Sequence, residues 1–149
     1  MFRGSSYHTI DTKGRVIIPV RFREPLQEST EQALMVSRLD KALFAYPPEE
    51  WEKIEKRIHS LAEKSDAMRR FRRVFIGAVQ YCPLDKQNRI LIPPELRNYA
   101  KLEKDIVLVG VLDHFEIWSR QWWEAENLKL EEEDMQNEEV KSEIAKLGL

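Results

Sequence analysis

Apolar positions in this chain come first in short runs and then open out to helical spacing, and the cycle occurs twice. Tyr7–Ile10 and Val16–Ile18 read as two short strands. Between them lies Asp11-Thr12-Lys13-Gly14, with Asp at the first and Gly at the fourth position of a tight turn. Pro19 follows where a short helix would begin, since Pro suits a first helical turn. Ala33–Leu39 and Leu43–Tyr46 predict a hairpin. Trp51, Ile54, Ile58 and Leu61 then recur at helical spacing with Glu and Lys between them. Met68, Phe71 and Phe75 predict a further amphipathic helix that ends near Gly77.

The second cycle repeats the first in sequence as well as in pattern. Residues 7–24 read YHTIDTKGRVIIPVRFRE and residues 81–98 read YCPLDKQNRILIPPELRN. Tyr7 matches Tyr81, Asp11 matches Asp85, Arg15 matches Arg89, Pro19 matches Pro93 and Arg23 matches Arg97. Farther on, LDKALFAYPPEEWE resembles LDHFEIWSRQWWE, which pairs Tyr46 with Trp118. Gly14 is replaced by Asn88, and both residue types tolerate a left-handed backbone. The expected organisation is one repeat over 1–76, a second over 77–125, and an acidic C-terminal tail over 126–149.

Charge narrows the function classes. Of 149 residues 34% are charged, yet the net charge is only -2, so a nucleic-acid partner would need a local basic face. Cys82 is the lone cysteine, which excludes an internal disulfide framework and fits a reducing cytosol. The start of the chain lacks the apolar run of a signal peptide, and no run of about 18 apolar residues occurs. His8, His59 and His114 are too scattered to suggest a metal site. No metal, cofactor or small-molecule substrate is expected. Phosphate loops, nucleophile elbows and zinc-protease helices are missing from the sequence, which argues against an enzyme.

The Asp-x-x-x-Arg turn is the most informative feature. Asp11 and Asp85 can accept hydrogen bonds from their own turns and hold Arg15 and Arg89 by charge-assisted bonds. The apolar triplets Val16-Ile17-Ile18 and Ile90-Leu91-Ile92 would anchor each turn in the core. Two rigid basic loops result, presenting Lys13 and Arg15 in one copy and Lys86 and Arg89 in the other. This doubled string, together with the opening MFRG, resembles the tandem AbrB-type repeat of the MraZ family from the first residue to about Trp123. Asn88 departs from the Gly usual before the second Arg.

The resemblance implies an α+β fold, mainly β, with both repeats building one swapped-hairpin β-barrel with flanking helices. It implies a ring of identical subunits and a cytoplasmic, nucleoid-associated regulator, expected to repress. Its DNA would be G-rich direct repeats upstream of its own gene, controlling the division and cell-wall cluster. The implied DNA-binding residues are Arg15, Lys13, Thr12, Arg89, Lys86 and Arg3, with Asp11, Gly14, Asp85 and Asn88 shaping the turns.

Several features keep a second reading. An Asp–Arg pair can simply brace a hairpin. Arg69, Arg70, Arg72 and Arg73 form a basic helical face that either touches phosphate or pairs with acids such as Glu63 and Asp66. Trp51, Trp118, Trp122 and Trp123 suit packing better than base stacking, and Cys82 suits a core better than catalysis. The tail, rich in Glu from Glu131 on, is either solvated or disordered, or a helix against a neighbouring subunit. An antitoxin or an oligomeric scaffold is the alternative class.

Overall fold

In the computed structural model, which describes residues 1–61 and 65–149, the chain forms two compact units, Met1–Ser119 and Arg120–Leu149. The first unit contains the first repeat and the second repeat as far as Ser119. The first repeat supplies β1 (Ser5–Thr9), β2 (Arg15–Ile17), the short helix α1 (Val20–Arg23), β3 (Ala33–Leu39) and β4 (Ala42–Tyr46). Helices α2 (Pro48–Ser60) and α3 (Asp66–Gly77) follow. The second repeat supplies β5 (Gln80–Pro83), β6 (Arg89–Leu91), α4 (Pro94–Ala100), β7 (Asp105–Gly110) and β8 (Phe115–Ser119).

The repeats interlock. β1 and β2 do not pair with each other. Instead β1 pairs with β7 and β2 pairs with β6, both antiparallel and both across repeats. β5 likewise pairs with β3 of the first repeat. The result is a six-stranded sheet in the order β1-β7-β8-β4-β3-β5 and a separate two-stranded ribbon, β2-β6. The swap of hairpin arms is therefore present, but the expected closed barrel is not: β1 and β5 remain sheet edges. β2 and β6 are only three residues long, and after pairing with each other they have no strand left to bridge those edges. Helix also exceeds strand, 43% against 27%, so the fold is a mixed α+β structure and not a mainly β one.

The period-2 pleat sends side chains to two separate cores. Leu34 and Val36 on β3, Leu43 and Ala45 on β4, and Phe115 and Ile117 on β8 face one core. The ribbon roofs that core with Val16 and Ile90, 0% and 1% exposed. Phe2, Phe22 and Phe115 fill it with rings 5.0–5.8 Å apart. Cys82 lies in it, and burial pushes its thiol up to about 11, so it is a packing residue. On the other face, Met35, Phe44 and Tyr46 meet Trp51 and Ile58 from α2 and Phe75 from α3. Trp51 and Trp118 are buried, in accord with packing.

α3 begins on a side-chain cap: Ser65 Oγ accepts from the Met68 backbone N–H at 3.1 Å. Its Arg69 pairs with Asp66. Glu63, the other proposed acid, lies outside the described residues. The second unit is helical over α5 (Arg120–Glu132) and α6 (Glu138–Ala145), so the tail expected to be solvated or disordered is helical. Asn137 Oδ1 caps α6 by accepting from Glu139 N and Val140 N at 2.8 and 3.3 Å. None of the side chains of α5 or α6 is buried.

Candidate nucleic-acid interface

Each Asp-x-x-x-Arg segment closes on its own aspartate. Asp11 Oδ1 accepts from the backbone N–H groups of Lys13 and Arg15 at 3.0 and 2.8 Å, and Oδ2 accepts from Arg15 Nε at 2.6 Å. Asp85 repeats the pattern with Gln87 N, Arg89 N and Arg89 Nε at 2.8, 2.9 and 2.9 Å. A ladder bond from Asp to the Arg carbonyl closes both turns, at 3.1 Å for Asp11 N and 2.8 Å for Asp85 N. Gly14 and Asn88 both take positive φ, +92° and +62°, as their turn positions require.

The two aspartates are held ionised. The Asp11 carboxyl is lowered to about 2, chiefly by the Arg15 backbone N–H; desolvation opposes this, and the Arg15 side chain and the Lys13 backbone N–H lower it further. The Asp85 carboxyl is lowered too, chiefly by the Arg89 backbone N–H. In both, a carboxylate at the turn's centre fixes the backbone and the guanidinium together.

The turns also brace each other. Ile92 N donates to the Gly14 carbonyl at 2.8 Å, and Ile18 N donates to the Asn88 carbonyl at 2.9 Å. Arg23 Nε donates to the Ile18 carbonyl, and Arg97 Nε donates to the Ile92 carbonyl, each at 3.0 Å. Because β2 and β6 are antiparallel, the two turns stand at opposite ends of the ribbon. The register sets Arg15 opposite Leu91 and Ile17 opposite Arg89. All four side chains point to the outer face, since Val16 and Ile90 point inward.

This placement sorts the expected site residues. Arg15 and Arg89 come together on one face, with side chains 34% and 24% exposed. Thr12 and Lys13 are exposed on the first turn and Lys86 on the second. The lysines are not equivalent: Lys13 aligns with Gln87, and Lys86 aligns with Thr12. Arg3 is exposed but stands at the other end of β1, next to the Phe2–Leu112 bridge, away from both turns. The outer two residues of each apolar triplet anchor the turns in the core, whereas the remaining Ile17 and Leu91 face outward. They are 55% and 57% exposed, whereas Val16, Ile18, Ile90 and Ile92 are buried. Their i+2 spacing from each Arg was the signal that places them on the arginines' face.

A pair of interlocked β repeats that mounts two carboxylate-braced arginines on one exposed ribbon defines a tandem-repeat α+β protein. The sequence profile of the MraZ protein family, described with a suggested likeness to antitoxins, matches residues 1–74 and again 74–143. The chain belongs to the MraZ family. It is similar to the transcriptional regulator MraZ of Desulforapulum autotrophicum, 58% identical over all of both chains. It is also similar to that of Desulfosudis oleivorans, 53% identical over all of both chains. The counterpart from Syntrophobacter fumaroxidans is 47% identical over 91% of this chain and 89% of its own. The second profile match runs to residue 143, so the family likeness extends into the acidic segment beyond Trp123.

Proposed function

We propose that this protein is a sequence-specific DNA-binding transcriptional regulator that represses the division and cell-wall gene cluster from G-rich direct repeats upstream of its own gene. One observation carries the reading: Arg15 and Arg89 are rigidly held on one solvent-facing ribbon. A two-stranded ribbon fits the major groove, and an arginine can donate two parallel bonds to guanine O6 and N7. Arg15 gives only Nε to Asp11, so its two terminal nitrogens are left to donate. The relatives' name, transcriptional regulator, supports the same reading.

In this proposal Arg15 is the principal base contact and Arg89 supports it. Lys13, Lys86 and Thr12 touch phosphate. Arg3, exposed at the far end of β1, is a further DNA contact outside the ribbon. The regulator works in the cytoplasm on the nucleoid, as a ring of identical subunits that multiplies weak single-site contacts. Repeats spanning 1–76 and 77–125 form the DNA-binding body, and 126–149 stays off the phosphates because of its carboxylates. No catalytic step is assigned to any residue.

The test is a mobility shift of duplex DNA from just upstream of the gene, at several salt concentrations. Specific retardation that weakens linearly with log salt is expected. Equal affinity for that duplex and for a scrambled one would overturn the reading. The antitoxin likeness in the family description favours one alternative, and co-purification of a small basic partner would support it.

A further inference from the structure

We propose that Ile17 and Leu91 are specificity-determining residues, which rest against thymine methyl groups in the major groove beside the guanines read by Arg15 and Arg89. The inference rests on the DNA-binding reading above. Its starting point is that both repeats expose a large aliphatic at the same place in a strand, 55% and 57% exposed. The fold does not need them there. Val16 and Ile90 already roof the core, and an outward strand position is ordinarily polar.

The geometry gives the four side chains a single surface. Arg15 lies directly opposite Leu91, and Arg89 directly opposite Ile17. The two arginines are therefore diagonal neighbours, with Cα atoms roughly 7–8 Å apart. That separation spans about two base steps at about 3.4 Å each. The patch has pseudo-two-fold symmetry, with an arginine at two corners and an aliphatic at the other two. An arginine reads guanine, and the one apolar feature on a base edge in the major groove is the thymine 5-methyl. Ile17 and Leu91 also shield the guanidinium contacts from water, which strengthens them.

Charge decides the occupant. Two copies of this patch stacked face to face would bring four guanidinium groups together. Asp11 and Asp85 balance the charge of Arg15 and Arg89, but the exposed Lys13 and Lys86 on the same turns leave each copy with a net positive face. A polyanion meets the same arginines with attraction. A duplex fits this face and a second copy of the chain does not.

The experiment selects binding sites from a random duplex library with the full-length protein and with the double variant Ile17→Ser, Leu91→Ser. Both substitutions are on the outer face, so mass by light scattering and the unfolding midpoint should not change. The wild type should enrich thymine beside guanine, and the variant should keep the guanines and lose the thymine preference. Replacing those thymines with uracil should weaken wild-type binding about four-fold per methyl, the effect of one buried methylene-sized group. The same replacement should leave the variant's affinity unchanged. Identical base preference in the two proteins would overturn the proposal, as would a drop in assembly mass, which would make the patch a subunit contact. Were the wild type to select no sequence at all, the DNA-binding reading itself would fail. Guanine selection lost on Arg15→Ala, with the thymine preference untouched by the double variant, would sink the thymine assignment alone.

Discussion

The two Asp-x-x-x-Arg turns share one scaffold and differ in what they leave for a partner. In the first, Arg15 is tied only through Nε to Asp11, and its side chain is 34% exposed. In the second, Arg89 is tied to Asp85 and also gives Nη2 to Gln87 Oε1 at 2.5 Å, and its side chain is 24% exposed. The first turn uses a glycine at its left-handed position. A Cβ there would meet Arg97 Nε at 2.7 Å and the Ile92 carbonyl oxygen at 2.8 Å. The second carries Asn88 at the corresponding place and accommodates its side chain. A duplicated motif has thus kept its internal hydrogen bonds, while its donors and its tolerance of substitution have diverged.

The largest test of this comparison is Arg15→Ala against Arg89→Ala in a DNA-binding titration. Arg15→Ala is expected to cost about 1–3 kcal/mol per site and, across a multivalent assembly, nearly all operator binding. Arg89→Ala should cost less, because Gln87 already takes one of its terminal donors. Equal losses would break the asymmetry.

Stability sharpens the same contrast. Gly14→Ala should cost about 2 kcal/mol or more, because a Cβ at φ +92° also collides with backbone. Asn88→Ala should cost about 1 kcal/mol, since only the left-handed preference is lost. Urea unfolding midpoints measure both, and matching costs would show that Arg97 and the Ile92 carbonyl yield easily to a Cβ.

Salt dependence separates the lysines from the arginines. Lys13→Ala should weaken binding to all sequences alike and reduce the slope of log affinity against log salt by about one. Gln87→Ala is a smaller change, within about 0.5 kcal/mol for folding. It should free Arg89 and bring the Arg89→Ala penalty closer to that of Arg15→Ala.

The smallest effect is in acid. Asp11 has its pKa lowered from 3.8 to about 2 in the folded protein, first by the Arg15 backbone N–H. Its stabilising contribution is therefore complete above the unfolded value and is lost as pH falls through about 2. A carboxyl-carbon NMR titration should find Asp11 still ionised at pH 3, and a midpoint near 3.8 would mean that the turn is open in solution.

Much of this molecule is set by local rules and can be read residue by residue. The tight turns, the left-handed Gly14 and Asn88, the Pro-led helices and the amphipathic α2 and α3 follow from propensity and spacing over a few neighbours. The repeat itself is legible because an Asp, an Arg and a Pro at fixed spacing do a local job twice. Partner choice between strands is not local. β1 and β2 read as the two arms of one hairpin, yet each pairs with the other repeat. The turn joining them closes on Asp11, which leaves the ladder partners to be chosen by which apolar faces meet. The barrel closure expected from the family likeness failed for the same reason, since three-residue strands roof a sheet but do not join its edges. Ile17 sits in an apolar run between Val16 and Ile18, and only the register with β6 turned it outward beside Arg89. The sequence determined the turns and their bound arginines, because those bonds form within five residues. The tertiary structure decided that both arginines share one exposed ribbon, because that depends on the burial of side chains 74 positions apart, Val16 and Ile90.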